Sequence, residues 1–328
     1  MAHSVTVVDV ASILDELKHE HDDDPSAVAT TMTFLAYVDD PAIVTWMRER
    51  SRAIVEKVPS RLVLLDGTLD PSSHETHTIA QAEWVLIGTR GCNPEAIGSI
   101  AHAFTRPGVP TVLLWAGQRI ADDPVFSALN GTADSLILDS SRIDSGVAQL
   151  AELTEYFARD RRFAVQDLAY LRLAPWQEMI AQFFDDPALT EELQLLVSVT
   201  ITSGSQAEAE YLLGWLASRL GWKPGPAHRF SSGRGQAVTF EIHHEGGPRR
   251  VRRIELRSPS AMFRAQLESD DATVCLTVEG ANAQPVRCEP LHDIAIVDLL
   301  ERAILEPNTS DVYRATIEMV RALLATDA

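Results

Sequence analysis

The chain has 328 residues, of which 45% are apolar and 23% charged, a balance that supports a packed core and argues against long disorder. That length predicts two domains. Its 47 acidic residues outnumber its 28 basic ones to leave a formal charge of −19, which repels phosphate backbones and anionic membranes alike, so neither nucleic acid nor membrane is an expected partner.

Val10, Ile13, Leu14 and Leu17 fall at helical spacing and predict a short amphipathic helix over 9–19. Strand formers follow at 31–38, and Asp39-Asp40-Pro41 opens a helix running to about Lys57. The alternation continues: strands at 60–65, 83–89, 109–115 and 134–138, and helices at 94–104, 123–130 and 144–159. Strands with few polar interruptions, separated by helices, predict a doubly wound parallel sheet of the Rossmann or flavodoxin class over 1–160. A helical linker is expected at 161–190, where Trp176, Met179, Ile180, Phe183 and Phe184 follow Pro175 at helical spacing. Residues 191–328 change character. A strand at 193–202 precedes a helix at 206–220, opened by a Ser205/Glu208 capping box and closed by Gly221 and Pro224. Alternating runs over 236–289 predict an antiparallel meander, and two helices near 291–305 and 310–325 complete an α+β domain.

A dinucleotide site needs a glycine-rich turn between strand and helix, where backbone amides cradle phosphate. The turns here, Val38-Asp39-Asp40-Pro41, Asp66-Gly67, Gly88-Thr89-Arg90-Gly91 and Trp115-Ala116-Gly117, match neither G-x-G-x-x-G nor the P-loop pattern, so no cofactor is expected. His74, His77, His243 and His244 lack the i, i+4 spacing of a helical zinc site. No G-x-S-x-G elbow is present. Asp139 and Ser140 follow a buried strand, where open α/β sheets place functional groups, and equally where a side chain caps the next helix. Cys92, Cys275 and Cys288 show no paired spacing, which predicts no disulfide framework and fits a reducing compartment. Without a basic start and a long apolar run, the first residues do not read as a secretory signal, so a cytoplasmic protein is expected. Arg249, Arg250, Arg252, Arg253 and Arg257 cluster within nine residues. They suit an acidic partner or an anionic ligand, or else pair within this acid-rich chain.

Several stretches resemble the OpcA family of glucose-6-phosphate dehydrogenase assembly proteins. They are the strand series TMTFLAYV, SRLVLLDG and EWVLIGT, then GVPTVLLWAG at 108–117, ADSLILDSS at 133–141 and, most specifically, DLAYLRLAPWQEMIAQFFD at 167–185. In the last, Asp167, Leu168, Tyr170, Arg172, Leu173, Pro175 and Trp176 fit the family's D-L-x-[WY]-x-R-L-x-P-W segment. The resemblance covers about 25–325. It implies a non-catalytic protein that binds glucose-6-phosphate dehydrogenase and favours its active oligomer, in support of the oxidative pentose phosphate pathway. Trp115, Arg172 and Trp176 are the expected contacts, since tryptophan and arginine dominate interface hot spots, although Trp176 reads somewhat better as a core anchor. The alternative is a sugar-phosphate sensor or enzyme with its site near Asp139 and Ser140.

Overall fold

A computed structural model of the chain describes residues 8–23, 31–57, 59–79, 82–120, 122–143, 164–226, 229–247, 250–280, 283–292, 295–305 and 310–327. The chain divides into two compact units: Met1–Asp144 with Arg161–Leu168 and Ile296–Asn308, and Ser145–Asp160 with Ala169–Ala295 and Thr309–Ala328.

The first unit runs α1 (Val10–Asp23), β1 (Met32–Val38), α2 (Pro41–Lys57), β2 (Ser60–Asp66), β3 (His74–Ile79), β4 (Ala82–Gly88), α3 (Pro94–Phe104), β5 (Thr111–Ala116), α4 (Pro124–Asn130), β6 (Ser135–Leu138), a 3-10 turn at Ser140–Arg142 and β7 (Ala164–Asp167). The strands form one sheet in the order β3-β4-β2-β1-β5-β6-β7, parallel throughout except for β3 against β4. Every residue of β2 and β4 is buried, which is why these strands read as apolar runs instead of alternating. Setting aside the edge strand β3, the chain winds outward from β1 in both directions. This is the Rossmann order, and its topological switch point lies between β1 and β5.

Two strands of this unit were not anticipated. β3 has the polar sequence HETHTI, and α1 packs against it, with Ile13 and Leu17 buried. β7 lies in the segment expected as a helical linker; four residues are too short a run to show periodicity. The expected helix at 144–159 falls outside the described residues. Of the last two expected helices, Ile296–Leu305 (α9 in chain order) packs on α2 in this unit. Arg61 and Glu83 face each other in the β2–β4 register and form a buried ion pair.

The second unit contains α5 (Leu168–Leu171), whose first residue belongs to the first unit, then α6 (Ala174–Gln182), α7 (Pro187–Leu193), β8 (Ser198–Ser203), α8 (Gln206–Arg219), β9 (Lys223–Gly225), β10 (Arg229–Ser231), β11 (Ala237–His244), β12 (Val251–Arg257), β13 (Ala261–Leu267), β14 (Thr273–Gly280), β15 (Gln284–Pro290) and α10 (Asp311–Asp327). Its sheet runs β15-β14-β13-β12-β8-β11-β10-β9 and is antiparallel save for the β8–β11 pair. In β13 buried and half-buried residues alternate strictly, the pattern of a sheet with one packed face. Ser205 caps α8 as expected, accepting from the Glu208 amide. Gly221 adopts φ +64° just past the helix end. Within α8, Gly214 lets α10 approach closely: a Cβ there would lie 2.6 Å from Val320 Cγ2.

The cysteine expectation is corrected. Cys275 and Cys288 stand opposite each other in the β14–β15 register and are joined by a disulfide. Thirteen residues apart in sequence, they show no recognisable spacing, because the hairpin register that pairs them is set by strand alignment. Cys92 is free, and burial raises its thiol pKa, which does not favour the reactive thiolate.

Candidate functional site

Open α/β sheets bind ligands beyond the carboxyl ends of the strands at the switch point. Here that place is lined by the β1–α2 turn, the end of β2 and the loop after β5. Pro41, at the first helical position of α2, has no N–H to offer. The amide of Ala42 donates to Asp40 Oδ1 at 2.9 Å, and those of Ile43 and Val44 donate to the Asp40 carbonyl at 2.9 and 3.2 Å. The amides that would cradle a pyrophosphate are therefore taken by the chain's own oxygens.

The ribose position is engaged as well. Asp66 ends β2, where dinucleotide sites place an acid for the ribose hydroxyls. It is fully buried; Oδ1 accepts from the Thr68 amide at 2.8 Å and its hydroxyl at 2.6 Å, and Oδ2 lies 3.5 Å from Arg48 of α2. Between these groups Tyr37 stacks on Trp115 at 4.8 Å, and Trp115 meets Phe126 edge-on at 5.1 Å. The Trp115 indole donates to the Arg119 carbonyl and lies so close over its own loop that a Cβ at Gly117 would fall 2.4 Å from the ring.

The local charge is negative. Burial, reinforced by Asp123, raises the Asp39 pKa. Burial also raises Tyr37, with added pressure from Asp39, Asp123 and Asp66. A carboxyl whose pKa is raised by folding holds its proton more tightly folded than unfolded. The stability it lends is present below its unfolded value and is lost as pH rises through the folded one. Asp39→Asn should therefore raise the melting temperature at neutral pH and leave it unchanged near pH ~3, as scanning calorimetry at the two pH values will show.

The structure places the sequence-derived candidates as follows. Trp115 and Trp176 are core residues, 2% and 3% exposed, and not surface contacts. Arg172 donates to Glu208 at 2.9 Å, and Glu208 in turn accepts from the Val251 amide. Arg250 and Arg252 both pair with Asp271, and Arg253 lies 3.8 Å from Glu255, so these arginines engage acids of the chain itself. Arg249 falls outside the described residues. Asp139 caps the 3-10 turn through the Ser141 amide and hydroxyl, and the Ser140 amide donates to Asp167. His74 pairs with Glu16, and His77 stacks on Trp84. Sequence reasoning missed the Tyr37, Asp39 and Asp123 cluster. Its signal was present, two acids directly after a buried strand, and only the sheet order shows that Asp123 lies beside them.

Residues 163–317 match the family model described as the C-terminal domain of a glucose-6-phosphate dehydrogenase subunit. OpcA of Synechocystis sp. (strain PCC 6803), described as an OxPP cycle protein, is 31% identical over 173 residues, 52% of this chain and 35% of that one. OpcA of Synechococcus elongatus is 29% identical over 226 residues, 63% of this chain and 46% of that one. Residues 163–317 therefore carry an OpcA-family domain. The chain spans 32–46% of the length of the curated relatives it matches. Among solved structures it is similar to KijD10, a 3-ketoreductase from Actinomadura kijaniata, with TM-score 0.53 and 9% identity, covering 91% of this chain and 97% of that one. A Magnetospirillum magnetotacticum MS-1 protein classed with the oxidoreductases gives TM-score 0.51 and 11% identity over 91% of this chain and 100% of that one. At such identities the chain shares their fold, and its own residues decide what the fold does. Among its described residues, no helix is long and apolar enough to cross a membrane.

Proposed function

We propose that this chain is a non-catalytic assembly factor and allosteric activator of glucose-6-phosphate dehydrogenase, serving the oxidative pentose phosphate pathway. The observation that carries the reading is the filled switch point. Asp40 occupies the amides of α2, Asp66 is bound by Thr68 and Arg48, and Asp39 and Asp123 would repel a pyrophosphate. A Rossmann-ordered sheet so arranged supports a scaffold role better than hydride transfer. The family model's description, which names a dehydrogenase subunit, supports the choice of partner. Activation follows if the chain binds the active oligomer more tightly than the inactive form, since that difference alone shifts the population.

The test uses the purified chain and the purified cognate dehydrogenase. The chain alone should form no NADPH from glucose 6-phosphate and NADP. Added to the dehydrogenase it should co-elute with it and lower the glucose 6-phosphate concentration needed for half-maximal rate. NADPH formation by the chain alone would overturn the non-catalytic reading. Failure to co-elute, with unchanged kinetics, would overturn the choice of partner.

A further inference from the structure

The sheet of the second unit has two unlike faces. One is apolar and buried, with Ile254, Leu256, Phe263 and Leu276 among its residues. The other is polar, and in β12 and β13 its side chains are half-buried to exposed. At its middle Glu255 of β12 stands directly opposite Arg264 of β13 in the strand register, and the two are 2.8 Å apart. Arg253 and Arg257 flank the same carboxylate at 3.8 and 3.5 Å. Along the two strands the facing pairs on this side are Arg253 with Gln266, Glu255 with Arg264, and Arg257 with Met262.

That pattern is self-complementary. A two-fold axis lying in the plane above the sheet, parallel to the strands and midway between β12 and β13, exchanges the two strands. It sets Glu255 of each copy against Arg264 of the other, Arg253 against Gln266, and Arg257 against Met262. No like charges meet along these strands, and the central pair becomes a square of two carboxylates and two guanidiniums. Isologous association requires such a patch. Elsewhere, two copies of a chain of charge −19 repel each other; here acids and bases alternate. The footprint is adequate. Six strands about 4.8 Å apart and about 20 Å long give roughly 500 Å² per copy, near the lower bound for a specific interface when both sides are counted.

We propose that this chain forms a two-fold homodimer through the polar face of its second sheet, centred between β12 and β13. This goes beyond the dehydrogenase reading and does not depend on it, since the dimer forms from the chain alone. The experiment is sedimentation of the purified full chain between about 1 and 100 µM. A monomer–dimer equilibrium is expected for the native chain. Arg264→Glu should raise the dimer dissociation constant about tenfold or more, because it sets a carboxylate against Glu255 of the other copy. Thr277→Glu guards against simple misfolding. It adds a carboxylate beside Arg264 in the β13–β14 register, so the melting temperature should hold while the dimer weakens by a similar factor. A native chain that stays monomeric across that range overturns the proposal. So does a Thr277→Glu chain that dimerises with unchanged affinity.

Discussion

Arg61→Ala is expected to cost about 3 kcal/mol or more of unfolding free energy, read as a lowered urea midpoint with an unchanged slope. Arg61 and Glu83 lie side by side on two central strands, 7% and 1% exposed. The guanidinium also reaches the Phe104 carbonyl at the end of α3. Truncation leaves the Glu83 carboxylate in the sheet with Arg106, 3.5 Å away and 41% exposed, as a weaker partner. The stranded charge is the source of the loss, and not the disappearance of a favourable contact. A double replacement, Arg61→Leu with Glu83→Leu, should therefore unfold at a midpoint nearer the native one than Arg61→Ala does. If the double variant is the less stable of the two, the pair itself stabilises the sheet and the desolvation account fails.

Arg172→Ala is expected to cost about 2–3 kcal/mol, shown as a lower melting temperature of the second unit. Its partner Glu208 is 3% exposed in its side chain and also accepts from the Val251 amide, so it ties the start of α8 to the segment before α6 and to the start of β12. Arg172 is 20% exposed, which lets water compensate part of the loss and places the figure at the lower end for a buried pair. Activation of the dehydrogenase should then fall only as far as the folded fraction falls. Lost activation with an unchanged melting temperature would instead make Arg172 a contact of the partner.

The two sheets were legible to different degrees. β1, β2, β4 and β5 are buried on both faces, and a chain segment in that position must be a continuous apolar run, so TMTFLAYV and EWVLIGT announced themselves. The Ser205 cap was equally plain from its capping box, whereas Asn93 and Asp123, which also accept from amides of the helix they precede, were not singled out. β3 was hidden because an edge strand under a short helix needs little apolar surface, and HETHTI carries only one large apolar residue. The site was half visible. The missing glycine turn could be read directly from Val38-Asp39-Asp40-Pro41. Which groups fill the space could not, because Asp39 and Asp123 are 84 positions apart and meet only through the β1–β5 neighbourhood. Trp115 and Trp176 make a related point: residue type alone does not separate an aromatic that anchors a core, the favoured reading of Trp176, from one that anchors an interface, and burial does.

The filled switch point also limits what change could do to this fold. Three separate devices block it: the Asp40 cap on α2, the Asp66 clasp to Thr68 and Arg48, and the Tyr37–Trp115 stack. They reside on different strands and loops: the first holds an amide at the exposed start of α2, the second ties buried Asp66 to Thr68 and Arg48, and the third fills the space with stacked rings. Substituting glycine for Asp40 frees an amide but leaves the acid-lined cleft and its aromatic plug in place. Acquiring a nucleotide would require all three to change together, while every intermediate variant loses stability and gains no ligand. On the proposed reading the arrangement works as a ratchet: single substitutions at these devices lead downhill, and the packing of the sheet itself would keep it to a framework role.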